Sequence, residues 1–175
     1  NDIDAQLYFT LLSARKTAYA LVQDSTKPLA RCLAELLDFA EELQGQIGAL
    51  PTVTEKMDFR SVFQNPELIN PQWPEKVAAG DLTAPVGECH FGRQIAMYFL
   101  FRYFLNLGLE GDVLSAAKMA VVGVLVPTYF GTDSWVIHLW SKETEHSDVN
   151  MERYRRLLRT ADCLSVPALK SRLDT

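Results

Sequence analysis

Cysteine is scarce in this chain. Cys32, Cys89 and Cys163 stand far apart, and none belongs to a CxxC pair. A zinc or iron–sulfur site built from this chain alone is therefore not expected. The odd count and wide spacing predict reduced, mostly buried thiols of a cytoplasmic protein. Glycine-rich phosphate loops are missing as well, because Gly80, Gly87 and Gly92 have no useful spacing. Positive charge is in deficit, with 17 Lys and Arg against 22 Asp and Glu and a net charge of −5. Nucleic acids and anionic membranes both call for a cationic surface, so neither is an expected partner. The opening Asn1-Asp-Ile-Asp4 is acidic, unlike a secretory leader. The charge-free run from Met119 to Thr132 is shorter than the ~20 residues of a membrane span, so insertion is not expected. No segment alternates with period two for long enough to build a sheet, and no internal repeat or low-complexity tract is present.

What remains is helical periodicity. Leu7, Leu11, Ala14, Ala18 and Leu21 line one face of a first helix over residues 4–23. Ser25 or Thr26 offers an N-cap, with Pro28 in the first turn, for a second helix. That helix carries Leu29, Leu33, Leu36, Ala40, Leu43 and Ile47, and the short connection predicts an antiparallel hairpin over residues 1–48. Residues 49–85 read as an irregular connection, with a short helix capped near Thr52 and running through Phe63. Pro66, Pro71, Pro74 and Pro85 cut up the rest, leaving a turn of helix near Glu75 to Ala79. The stretch from Val86 to Phe130 holds only six charged residues in 45. It fits two central apolar helices, 88–107 with Gly108 as C-cap and 112–125 with Asp112 as N-cap, ended or kinked at Pro127. Thr132 or Asp133 caps a further helix that runs through His146 or breaks near Ser147. Met151, Tyr154, Leu158 and Ala161 form the next stripe, and residues 163–175 are a tail with one short helix. The expectation is one all-α domain over 1–175, a compact bundle of about six to seven helices.

Arg102 is the anomaly, since it lies in the middle of the apolar tract from Met97 to Leu105. Burying an unpaired guanidinium costs several kcal/mol. The acids of Glu143-Thr-Glu-His-Ser-Asp148 are the expected partners, and Arg102, Glu143, Glu145, His146 and Asp148 form the candidate polar interior. Gripping an external anion is the competing role for Arg102. His138, Glu145 and Asp148 would share one face of an unbroken helix and could hold a divalent metal or do acid–base work. The absence of a second ExxH set makes a structural or solvated role the better reading. Cys89 and His90 are adjacent, so they point apart and form a poor nucleophile–base pair. Arg153, Arg155, Arg156 and Arg159 read as a solvated face near a helix end. The aromatic set from Tyr98 to Phe104, with Trp135 and Trp140, reads as core.

Several segments resemble one family in the same order. Residues from Arg15 to Gln23, Pro28-Leu-Ala-Arg31 and the run from Leu36 to Gln44 look like the helical hairpin that follows the cysteine cluster in flagellin lysine N-methylase-like proteins. Phe99 to Leu105, Gly111-Asp-Val-Leu114 with Lys118 to Leu125, and Ser141 to Asp148 resemble its later segments. The resemblance covers most of the chain and rests on helix patterns. It implies methyl transfer to lysines of flagellin from S-adenosylmethionine, with an iron–sulfur or other metal centre on the cysteine cluster. That cluster is absent here, and the start at Asn1 agrees with a piece of a longer protein. No cofactor is therefore expected in this chain alone, and activity is expected only with the cysteine-rich part. Arg102, Glu145, His146 and Asp148 are the matching polar positions, with no catalytic role assigned. The alternative is a non-enzymatic helical module that binds a protein or ligand through residues 65–85 or a groove near Trp73.

Overall fold

The apolar stripes of the first 48 residues close into a helical hairpin, α1 (Asp2–Gln23) against α2 (Leu29–Ile47), in a computed structural model that describes residues 2–50, 53–87, 90–131 and 134–174. The helix entry differs from the expected cap. Asp24 accepts the Thr26 backbone N–H at 3.0 Å and so consumes Thr26 in the turn, and α2 begins after Pro28. Proline's fixed φ pre-sets that entry.

Next come α3 (Phe59–Val62) and α4 (Gln72–Ala79), both short, in the irregular connection. Asp58 caps α3 through the Ser61 N–H. The cap predicted at Thr52 lies outside the described residues. The central pair is α5 (His90–Leu109) and α6 (Val113–Phe130). Gly108, expected to end α5, stays inside it. The helix runs one residue further, to Leu109, and Gly111 beyond it takes φ 90°. There the Asp112 N–H donates to Leu107 at 2.8 Å and the Gly111 N–H to Gly108 at 3.0 Å. This paired closure needs a left-handed residue, which glycine adopts without strain. Asp112 then caps α6 through the Ser115 N–H at 3.1 Å. Pro127 does not end α6, because it falls in the last turn and the helix continues to Phe130.

Beyond α6 lie α7 (Ser134–Glu145), α8 (Asp148–Thr160), a 3-10 turn (Asp162–Leu164) and α9 (Val166–Leu173). The chain breaks before Asp148 because Ser147 turns to cap α8 through the Asn150 N–H. The fold is all-α. Nine α-helices form among the described residues, and the only ladder-like feature is an isolated bridge of Glu55 to Ala161. The caps expected at Thr132 or Asp133 lie outside the described residues.

Helix α6 is the hub. It packs against α2, α5, α7 and α8, and nearly every side chain on it is buried. By length and composition it could cross a membrane, but 89% of its residues are buried within the protein. Its all-round apolarity thus answers the demand of a helix covered by other helices. By contrast, α5 is covered on one side only: α1 and α6 bury Ala96, Leu100 and Phe104, while Tyr98, Phe101 and Leu109 stay exposed. The tail is part of the same core, since Leu169 and Leu173 of α9 are buried and α9 packs on α2.

Close approach of α5 and α6 depends on Gly123. A Cβ there would stand 2.5 Å from the Phe99 ring carbons. Phe99 is itself wedged against Trp140 at 5.5 Å between ring centroids, so it has little room to yield. Gly108 meets only the flexible end of Leu11. Gly123→Ala should therefore destabilise the protein by about 1–3 kcal/mol in urea unfolding, and by more than Gly108→Ala, despite alanine's better helix propensity.

Candidate functional site

Helices α5 and α7 both lean on α6 and leave a groove between them. Phe91, Ile95, Tyr98 and Phe99 form one wall, and Ile137, His138 and Ser141 the other. Its volume is about 390 Å³, within the size range of ligand sites. Both helices climb along it in the same sense, which brings Tyr98 and Arg102 of α5 beside Ser141 and Glu145 of α7.

At that end the polar side chains knot together around the Glu145 carboxylate. Arg102 Nε lies 2.7 Å from Glu145 Oε2. The Tyr103 hydroxyl donates to the same oxygen at 2.6 Å. Ser141 Oγ donates to Oε1 at 2.7 Å, and the Tyr98 hydroxyl reaches Oε1 at 3.3 Å. Four donors surround a side chain only 7% exposed, which is how a carboxylate survives near an apolar wall. Burial, then the bond to Glu145, holds the Tyr103 phenol far above its usual range, and burial with the Glu145 charge raises Tyr98 as well. Both phenols therefore remain protonated donors at any physiological pH.

The structure brings Arg102 to Glu145, but it corrects the expected interior. The Arg102 side chain is 53% exposed. It lies across the Tyr103 ring at 5.6 Å, on the uncovered side of α5. Its tract looked continuous in apolarity because that uncovered side carries Tyr98 and Phe101 too. The other candidates are elsewhere. Glu143 is completely buried and accepts the backbone N–H groups of Ile69 at 3.3 Å and Asn70. His146 and Asp148 are exposed and join neither cluster.

Glu143 belongs to a second knot that sequence reasoning missed. Asn150 donates to the Glu143 and Glu67 carbonyls at 2.7 and 2.8 Å and accepts the Glu67 N–H at 3.0 Å. Ser147 Oγ donates to the Glu67 carboxylate. Residues 67–70 are thereby pinned to the junction of α7 and α8. The Ser147-x-x-Asn150 spacing was a readable capping signal; the buried destination of Asn150 was not. Trp73 is buried, with its indole N–H donating to the Phe63 carbonyl at 3.0 Å. The groove expected near it is filled by the aromatic packing of Phe63, Trp73 and Phe130.

The histidine–carboxylate face of a single helix does not form, because the break before Asp148 redirects that residue. Among the described residues no group of three or more His, Cys, Asp or Glu could hold a metal. Cys32 is buried, donates to the Asp24 carbonyl and lies 3.5 Å from Arg93, while Cys163 is half-buried. Cys89 lies outside the described residues, as does the side chain of His90. Among the described residues the thiols do not gather into an iron–sulfur site. The four arginines of α8 are used internally or paired. Arg153 donates to the Ser61 and Val62 carbonyls, and Arg155, Arg156 and Arg159 face Glu110, Glu55 and Asp112. Comparison of the chain with protein-family models, with curated proteins and with solved structures gives no match.

Three measurements test these assignments. Glu143→Ala strands two backbone N–H groups and should cost about 2–4 kcal/mol in urea unfolding, with faster amide exchange at Ile69 and Asn70. Arg102→Met should cost about 1 kcal/mol or less, because Glu145 keeps its three hydroxyl donors and the lost pair is half in water. Burial pushes the Cys163 thiol up to about 11. Its thiolate fraction near neutral pH should be about a hundredfold below that of an ordinary thiol, so alkylation by iodoacetamide should be correspondingly slow at pH 8 and rise steeply toward pH 11.

Proposed function

We propose that this chain is the helical substrate-recognition part of a lysine N-methylase-like protein, and that the groove between α5 and α7 takes an apolar segment of the protein substrate. One observation carries the reading: an open apolar groove ends at a saturated, charge-balanced knot of tyrosines, serine, arginine and glutamate. Apolar walls supply affinity without selecting sequence finely, and a few fixed polar groups at one end set orientation. Tyr98, 44% exposed, and Phe101, 71% exposed, extend the apolar surface outward beside it. Aromatic anchors of this kind dominate the energetics of protein recognition.

The segment resemblance supplies the substrate class, flagellin or another protein with accessible lysines. The methyl donor and the metal centre are assigned to a cysteine-rich part, not to these residues. Glu145 is neutralised by Arg102 and fully supplied with donors, so it is a poor receiver for a lysine ammonium. The groove therefore suits neighbouring apolar side chains of the substrate better than the lysine to be methylated. A non-enzymatic helical binding module would use the same groove and is the second reading.

Two assays separate these readings. Purified flagellin should bind the chain, and Ile137→Asp, which places a charge on the groove wall, should weaken binding about tenfold or more. Methyl transfer to flagellin from S-adenosylmethionine should appear when a cysteine-rich segment is joined upstream and not with the chain alone. Binding without transfer in either form leaves the module reading. Neither binding nor transfer removes the methylase reading.

A further inference from the structure

Lys118 is the one buried lysine among the described residues, 6% exposed, and it sits on the central helix α6. Its Nζ donates to the Leu158 carbonyl at 2.8 Å, at the C-terminal end of α8. That is its one hydrogen bond among the described residues, and an ammonium carries three N–H groups. Lys118 also lines a cleft of about 340 Å³ bounded by α2, α6, the end of α8 and the start of α9. Asp112, Ser115, Arg159 and Thr160 line it with Lys118, and the exposed Val53 and Thr54 stand at its edge.

The balance of charge in the cleft selects the ligand. Glu41, Asp112 and Asp162 face it against Lys118 and Arg159, and Arg159 already approaches Asp112 at 3.7 Å. The excess of carboxylates would repel an anion but not a neutral molecule. Burial lowers the Lys118 pKa, opposed in part by Asp112 and Glu41, so more free amine is present than on an exposed lysine. A partly desolvated amine of this kind is the ordinary precursor of Schiff-base chemistry.

We propose that this cleft is a carbonyl-binding site in which Lys118 forms an imine with a small neutral aldehyde or ketone. The free amine attacks the carbonyl carbon, forming the C–N bond. The carbinolamine then loses its oxygen as water, giving the protonated imine. Overall one ammonium and one carbonyl compound give one iminium and one water, with no oxidant or reductant. The iminium retains a single N–H, which is enough to keep the bond to Leu158. The cap on α8 and the covalent adduct are therefore compatible.

The test uses the intact chain with benzaldehyde and sodium cyanoborohydride, followed by peptide mass mapping. Lys118 should be benzylated at least about fivefold faster than the exposed Lys16, Lys56 and Lys142, the direction expected of a desolvated amine in an accessible cleft. Thr54→Trp, a change at an exposed position on the cleft edge, should slow labelling of Lys118 and leave the other three unchanged. Labelling of Lys118 no faster than the exposed lysines in the wild-type chain would overturn the proposal. Equal labelling of Lys118 in the Thr54→Trp variant would overturn the cleft as its route.

Discussion

Backbone polar groups at helix ends have to find partners wherever the chain turns inside the bundle, and this chain meets that need with side chains sent from distant helices. Arg93 of α5 donates to the Val22 and Asp24 carbonyls at the end of α1. Arg60 serves the Val77 and Gly80 carbonyls that close α4, and Arg153 of α8 serves those that close α3. Lys118 does the same for α8. Cations suit this task because the carbonyl end of a helix carries partial negative charge. Donors among the chain's turns are matched in reverse. Gln44 accepts the Leu114 N–H and donates to the Gly48 and Gly111 carbonyls, joining the end of α2 to the start of α6.

The same rule shapes the irregular connection between α3 and α5. Its backbone has few internal bonds, so Glu143, Ser147 and Asn150 supply acceptors and donors from the α7–α8 junction. The result is a loop fixed by a fully buried carboxylate rather than one free to move. Because α7 is held down at Glu143 on one face, its opposite side presents Ser141 and Glu145 toward α5. The groove and the Glu145 knot are thus consequences of how the loop is pinned. The two acids, two residues apart, serve different ends, because residues so spaced point to nearly opposite sides of a helix.

Much of this was readable from residue pattern. The stripes of α1, α2 and α8 predicted their buried faces, Asp112 announced its cap, and the short helix expected in the tail is α9. Arg102 showed the limit. Its need for an acid was legible, and Glu145 answers it, but the solvent on its other side was not. An aromatic tract reads as buried whether or not a helix covers it, and only packing reveals that α5 has one uncovered face. Tyr98 and Tyr103 were the overlooked signal, since hydroxyls among phenylalanines need acceptors as much as a guanidinium does. Lys118 drew no notice for a related reason: a single lysine in an apolar run gives no hint of the cleft its amine meets.

Local pattern and composition determined the helices, their buried faces and the class of the fold, because helix formation and burial follow from spacing within a few turns. Tertiary structure alone decided which helix became the hub, which carboxylate was buried, and which cation reached which carbonyl. Those choices depend on residues tens of positions apart meeting in space, where a polar group in a low-dielectric interior is stable only if its partner arrives with it.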